Sequence, residues 1–312
     1  MLKTPVALFF FRRPEQTREV FEAIRQARPS RLFLIADGPR NDEERVLCEQ
    51  ARAIVEGVDW PCEVMKNYAE SNLGLRRRLA SGLSWVFEQA EEAIILEDDC
   101  LPHPTFFRFC AELLERYRDE PRVMHIGGNY YVRRPSSMES FYFTRFPHVW
   151  GWATWRRAWQ YYDEPLDHWT DPKVRSKFLR AIPTHAERRF WTGTLDAVQQ
   201  GHINTWDYQW TFSVILNDGL CINPTRNLVR NLGFGADASH TLNKDDPLAQ
   251  LVAQEMTFPL IAPKEMKSDA KADRQVVHLH FSITPSWKVR VVRIAVAVIG
   301  RTNYTRLRRL FR

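Results

Sequence analysis

The sequence predicts an α/β protein: a mostly parallel central sheet with helices on both faces. Three observations predict it. Short apolar runs recur through the first hundred residues, segments with helical spacing separate them, and the runs stop at polar or charged clusters. That order is the mark of strand–helix–strand units.

Residues 6–11 are a continuous apolar run, as a central parallel strand requires. The run ends at Arg12-Arg13, is too short to cross a bilayer, and lacks a signal cleavage site. Helical spacing follows over 15–27. Residues 31–36 are the next strand, closed by the turn Asp37-Gly38-Pro39, and 42–55 are helical. A short strand at 62–67, a helix at 74–89, a strand at 93–96 and a helix at 105–117 complete the alternation. Beyond residue 120 the pattern loosens. Strands are expected at 123–126 and 141–143, with aromatic loops from 147 to 210. Residues 262–275 read as a polar linker, and His278-Leu279-His280 as part of a strand with both imidazoles on one side.

At 312 residues and 44% hydrophobic, the chain can bury a large core. It divides into a main body over 1–261, made of two halves at 1–120 and 121–261. A connecting segment and strand follow at 262–284, then a basic tail at 285–312. The formal charge of +6 lies in that tail, which holds eight Lys and Arg and no acid. Without them the charge becomes −2, which excludes a nucleic-acid-binding body. Five scattered cysteines, with no CxxC pair, fit a reduced cytoplasmic setting. Zinc spacing, a GxSxG elbow and a GxxxxGK[ST] loop are all absent from the sequence.

Ligands of such sheets bind outside the carboxyl ends of the strands. This places Arg12 and Arg13, Asp37, and Glu97-Asp98-Asp99 on one edge. The acidic triplet closing the strand at 93–96 is the sharpest signal. Like charges packed together need a compensating cation or donors. Mg²⁺ or Mn²⁺ held by one or two carboxylates and substrate phosphates is one solution. A solvated strand end with capping acids before Pro104 is the other.

Glu97-Asp98-Asp99 followed by Pro104-Thr105-Phe106-Phe107 resembles the variant DxD motif of GT-A glycosyltransferases. The likeness is strongest to N-acetylglucosaminyltransferase I and family-two-like bacterial nucleotide-sugar transferases. Three further stretches are similar in the same order. They are the Phe146-Pro147-His148-Val149-Trp150-Gly151-Trp152 segment, the Trp206-Asp207-Tyr208-Gln209-Trp210 segment and the stretch 230–241. The resemblance covers roughly residues 5–245. It implies a GT-A (Rossmann-like) fold and inverting sugar transfer from a nucleotide diphosphate to an acceptor hydroxyl, in bacterial-type surface glycan synthesis. It implies Asp99 as the direct metal ligand, with Asp98 and Glu97 on the ribose and donor sugar. It implies Asp207 as catalytic base, Trp150, Gly151 and Trp152 around the donor sugar, and a closing loop whose Ser239 and His240 touch the phosphates. Some members supply a late histidine to the metal, which would be His280. Two departures leave the nucleotide unassigned. Arg12-Arg13 replaces an Asp-Arg pair, and Tyr208 stands where a second Asp is expected.

Asp37 is placed to accept from the ring N–H of a pyrimidine, or simply forms an Asp-Gly turn. Asn72-Leu73-Gly74 opens a helix bearing Arg76, Arg77 and Arg78. A helix N-terminus with arginines attracts a diphosphate, but residues 100° apart cannot all face it. Arg76 is the candidate contact. Asp207 would be the general base of transfer, or the N-cap of a helix over 208–216. The glycine-hinged stretch 233–240 suits a lid that excludes water. The segments 286–299 and 302–311 have the character of basic amphipathic helices suited to the inner, anionic face of a membrane, and the acceptor is a carbohydrate or a lipid-linked one. Two other classes compete. A sugar nucleotidyltransferase should carry a glycine-rich loop after the first strand, where this chain has Phe11-Arg12-Arg13-Pro14-Glu15. A non-catalytic sugar-nucleotide-binding protein has no use for Asp207.

Overall fold

Five consecutive apolar side chains at Val6–Phe10 (β1) are all buried, which requires cover on both faces of the strand. The computed structural model describes residues 1–132, 138–234, 250–281 and 283. In it β1 is followed by helix α1 (Pro14–Ala27), β2 (Arg31–Ala36), α2 (Asp42–Val55), β3 (Glu63–Tyr68), α3 (Leu75–Gln89) and β4 (Glu92–Glu97). The chain continues as β5 (Cys100–Pro102), α4 (Pro104–Arg116), β6 (Val123–Gly127), β7 (Phe141–Thr144), β8 (Trp152–Trp155) and a single turn, α5 (Arg156–Trp159). Then come α6 (Pro172–Ala181), α7 (His185–Gln199), α8 (Asp207–Leu216), β9 (Leu220–Pro224), β10 (Val229–Asn231) and α9 (Ala270–Leu279).

Local signals start the helices. Pro14 opens α1. The Asn41 side chain accepts from Glu44 N–H at 2.9 Å and caps α2. Thr184 accepts from Glu187 N–H at 3.2 Å to cap α7, with the Glu187 carboxylate 2.8 Å from the same hydroxyl.

Eight strands form one sheet in the order β3-β2-β1-β4-β8-β6-β9-β7. The first four are parallel, with Leu8 opposite both Leu34 and Leu96. β8 runs antiparallel to β4 and β6, β6 and β9 are parallel, and β7 is antiparallel to β9. The α/β expectation with a mostly parallel sheet is met. The chain steps outward from β1 to β3, then crosses back to place β4 on the other side of β1. A crevice opens where the order reverses, beyond the carboxyl ends of β1 and β4.

Alternation along the strands divides the core. Val6, Leu8 and Phe10 pack with Leu34 and Leu96 beneath α1, α2 and α4. Ala7 and Phe9 pack with Ile35 and Ile95 beneath α3 and the inner side of α8. A third cluster joins α6, α7, the outer side of α8 and α9, around Trp169, Phe178, Trp191, Phe212 and Val276. The five cysteines are unpaired.

Two expectations fail at residues 262–280. The segment read as linker becomes α9 from Ala270, and the expected strand around His278 and His280 is the end of that helix. Ala272, Val276 and Val277 are buried in the third cluster, a helical rather than an alternating spacing. Asp269 accepts from Lys271 and Ala272 N–H at 2.9 and 3.0 Å and caps the helix. Asp273 then ties it to the end of β7, accepting from Thr144 Oγ1 at 2.5 Å and Arg145 Nε at 3.1 Å. No described helix is long and apolar enough to cross a membrane. The basic tail at 285–312, with its two expected helices, lies outside the described residues.

Two buried histidines lie in contact at β6. His125 Nε2 donates to His148 O at 3.0 Å, and His125 Nδ1 accepts from Trp210 Nε1 at 3.2 Å. A carbonyl only accepts and an indole N–H only donates, so His125 is neutral. His148 Nδ1 meets Asn129 O at 3.2 Å. Burial pushes both imidazoles down to about 3.

Two predictions follow from these anchors. Asp273→Ala leaves Arg145 without its buried partner and should cost about 3–5 kcal/mol of stability, read from the urea midpoint at unchanged m. The unfolded histidines titrate near 6.5, so stability is full above that pH and falls as pH drops towards 3. At pH 5 the loss should be about 2 kcal/mol per ring. The urea midpoint followed from pH 7 to pH 5 should show this, and in His125→Gln about half of the slope should vanish.

Candidate active site

The ends of β1 and β4 are bound to each other by charge. Phe11 N–H donates to Asp98 Oδ2 at 3.0 Å. Arg13 Nη1 meets Asp98 Oδ1 at 3.3 Å and Asp99 Oδ2 at 2.8 Å. The β5–β10 ribbon closes the far side, with Asn231 opposite Cys100 and Leu232 N–H donating to Asp99 O at 2.7 Å. Burial raises the Glu97 carboxyl well above the usual range, and Asp99 and Asp98 raise it further, with Arg13 opposing and Asp207 adding to the rise. Asp98 is raised too, by burial first and then by Asp99, against Arg13 and the Phe11 N–H. Three carboxylates in this setting demand positive charge.

The donor set suits a hard divalent ion. Asp98 and Asp99 offer carboxylate oxygens, and a diphosphate would complete the coordination. Gly233 lies against Asp99 so closely that a Cβ there would run into Asp99 Oδ2, so the glycine keeps the cradle open. Among the described residues no three His, Cys, Asp or Glu side chains form a closed metal cage. His280 lies just past the end of α9, its ring stacked on that of Tyr131 at 5.8 Å.

The carboxylates sit in a cleft of about 990 Å³. Arg12, Arg13, Asp37, Glu97, Asp98, Asp99, Trp150 and Asp207 all line it. Asp207 is the first residue of α8, not its N-cap; Trp206 holds that position, without a side-chain cap. The Asp207 carboxylate is therefore not spent on capping. Thr205 Oγ1 hydrogen-bonds Asp207 Oδ1 and orients it.

Asp37 plays a different part from the one expected. Its Oδ1 accepts from Gly38 and Leu73 N–H, both at 2.9 Å; its Oδ2 accepts from Asn72 Nδ2 and Gly74 N–H, both at 3.0 Å. Four donors fill the four acceptor sites of a carboxylate, so Asp37 holds the 72–74 loop at the mouth of α3 and has none to spare for a base. Arg76 also leaves the cleft. It pairs with the Glu164 carboxylate at 2.7 Å and donates to Glu164 O at 2.6 Å. Arg78, two residues on, lines the cleft instead. It is buried, donates to Asn67 O and to Asn67 Oδ1, and its Nε has no partner. Arg12 and Arg40 both pair with Glu44, at 2.8 and 2.5 Å, and both guanidinium groups lie within 6 Å of the Phe11 ring, at 5.9 and 5.8 Å.

Of the three aromatic-loop candidates only Trp150 reaches the cleft, its ring 5.4 Å from Tyr131 and 5.5 Å from Phe234. Trp152 is fully buried between His125 at 5.1 Å and Trp206 at 5.5 Å. Gly151 has φ +65°, and a side chain there would press on Val229 and Leu96. Its freedom lets the chain pass close to the β10 ribbon. Ser239 and His240 lie outside the described residues. Arg40, Arg78, Asn204 and Thr205 line the cleft without having been singled out, and Asn231 and Gly233 of the 230–241 stretch line it too. Thr205, two residues before Asp207, was the most readable of them.

No protein-family model matches the chain, and no curated protein matches it. Solved structures similar to it include a UDP-glucose pyrophosphorylase complexed with UDP-glucose, at 12% identity and TM-score 0.35, covering 72% of this chain and 90% of that one. A mannosyltransferase from Pyrobaculum calidifontis in complex with GDP-mannose and Mn²⁺ is 12% identical at TM-score 0.38, covering 69% of each chain. A 4-diphosphocytidyl-2C-methyl-D-erythritol synthase from Anaerococcus prevotii is 10% identical at TM-score 0.31, covering 50% of this chain and 73% of that one. At such TM-scores these likenesses carry no weight on what the chain does.

Proposed function

We propose that this protein is a divalent-metal-dependent glycosyltransferase with a GT-A-type cleft, moving a sugar from a nucleotide diphosphate to an acceptor hydroxyl. One observation carries the reading: Asp207 lines the same cleft as Glu97, Asp98 and Asp99, at the point where the strand order reverses. A metal-binding carboxylate group and an unspent carboxylate share one pocket, as transfer from a diphosphate requires.

Arg12, Arg40 and Arg78 give the β1–β2 end of the cleft a positive character that suits a nucleotide. A Mn²⁺ or Mg²⁺ ion held by Asp99, with Asp98 beside it, would neutralise the diphosphate leaving group. Asp207 takes the proton of the acceptor hydroxyl as that oxygen bonds to the anomeric carbon and the carbon–oxygen bond to phosphate breaks. Attack from the face opposite the leaving group inverts the anomer. Thr205 holds one oxygen of Asp207 and leaves the other for the acceptor. Trp150 offers an apolar ring to a sugar face.

Two outcomes are expected. Asp207→Asn should lower kcat by about 10²- to 10⁴-fold while leaving the Kd for donor, measured by calorimetry, within about threefold. Asp99→Ala should abolish the gain in nucleotide-sugar affinity that Mn²⁺ brings in a thermal-shift series. Product analysis separates the competing class: release of nucleoside diphosphate with a new glycosidic bond supports transfer, and nucleoside triphosphate formed from added pyrophosphate refutes it.

A further inference from the structure

We propose that Arg13 is an internal counter-ion that holds the metal's place in the donor-free protein, so that metal and nucleotide bind together and neither binds well alone. The proposal rests on the metal-dependent reading above.

Arg13 Nη1 meets both carboxylates. Asp98 Oδ2 is already committed to Phe11 N–H, and Asp99 Oδ1 lies 3.5 Å from Cys100 Sγ. The remaining oxygens, Asp98 Oδ1 and Asp99 Oδ2, are the pair that Arg13 holds. A divalent cation seeking the same oxygens meets a positive group in contact with both, and like charges at contact distance repel strongly in a half-buried site. Arg13 must therefore leave before those oxygens can take another cation.

The backbone of Arg13 is not free to retreat. Its carbonyl accepts from Thr17 N–H at 2.9 Å and Thr17 Oγ1 at 2.7 Å, fixing the first turn of α1. Only the side chain moves. Arg13 lines the cleft beside those carboxylates, and a guanidinium binds phosphate oxygens as readily as carboxylates. The exchange is balanced: the carboxylates trade Arg13 for the metal, and Arg13 trades the carboxylates for the diphosphate. Metal alone would strand Arg13 beside a second cation. Nucleotide alone would draw Arg13 away and bare two carboxylates to the phosphates. Each ligand thus removes the obstacle to the other, which is positive coupling in the thermodynamic sense.

The test uses the full chain and reads Mn²⁺ binding by the paramagnetic resonance signal of the free ion, with no ligand, with UDP and with GDP. Wild type should bind Mn²⁺ at least tenfold more tightly with one of these nucleotides than without. Arg13→Met should bind Mn²⁺ alone about 10- to 100-fold more tightly than wild type, the span expected for one charge-assisted contact, and the nucleotide should add little. Arg13→Lys, which keeps the charge, should stay near wild type. Arg13→Gln should repeat the methionine result and serves if that variant does not fold. Nucleotide-enhanced Mn²⁺ binding in wild type, with Met and Gln variants no tighter for Mn²⁺ alone, overturns this proposal and leaves the enzyme reading standing. No Mn²⁺ binding by any variant under any condition overturns both.

Discussion

The contact between the ends of β1 and β4 is the constraint on which the site depends. Phe11 N–H and the Arg13 side chain reach across to Asp98 and Asp99, joining the two neighbouring strands at the point where the sheet reverses its order. Everything else in the cleft is arranged around that junction. The β5–β10 ribbon continues directly from the triplet and pins Asp99 through Leu232 N–H. α1 starts at Pro14, immediately after the arginine that neutralises the acids. The same residues that begin a helix and end a strand also set the electrostatic state of the pocket.

The first hundred residues were legible because parallel strands buried on both faces write continuous apolar runs, and the runs end at the sheet's binding edge. Glu97, Asp98, Asp99, Arg12 and Arg13 could be placed from that alone. Asp207 came from its aromatic setting and from resemblance. The structure adds that it is free of the capping bond that would have occupied it. Less was legible where role depends on contacts across the chain. The sequence around Asp37 shows a turn acid, but not that four donors from 38 and 72–74 fill its oxygens. Three consecutive arginines give no sign of which faces inward; Glu164, distant in sequence, turns Arg76 away and leaves Arg78 at the cleft.

The misreading of 262–280 has a simple physical origin. Over so short a stretch, two histidines separated by a leucine fit period two as well as the end of a helix. The deciding residues were Ala272, Val276 and Val277, whose apolar stripe has meaning only once the third cluster exists to receive it. The salt bridge from Asp273 to Arg145 then fixes the docking. Tertiary packing decided the element, with local propensity in second place.

Helix α8 is buried on nearly every side because it lies between two cores, with Trp210 and Val214 facing the sheet and Phe212 and Ile215 facing the helical subdomain. Asp207 is its first residue. A helix clamped from both sides cannot turn about its axis without opening one interface or the other, since each residue of added or lost length rotates it by about 100°. Lineages descended from such a chain are therefore held to a fixed length in the approach to Asp207. Variation is freer elsewhere along the rim, where a change of residue does not turn Asp207 out of the cleft.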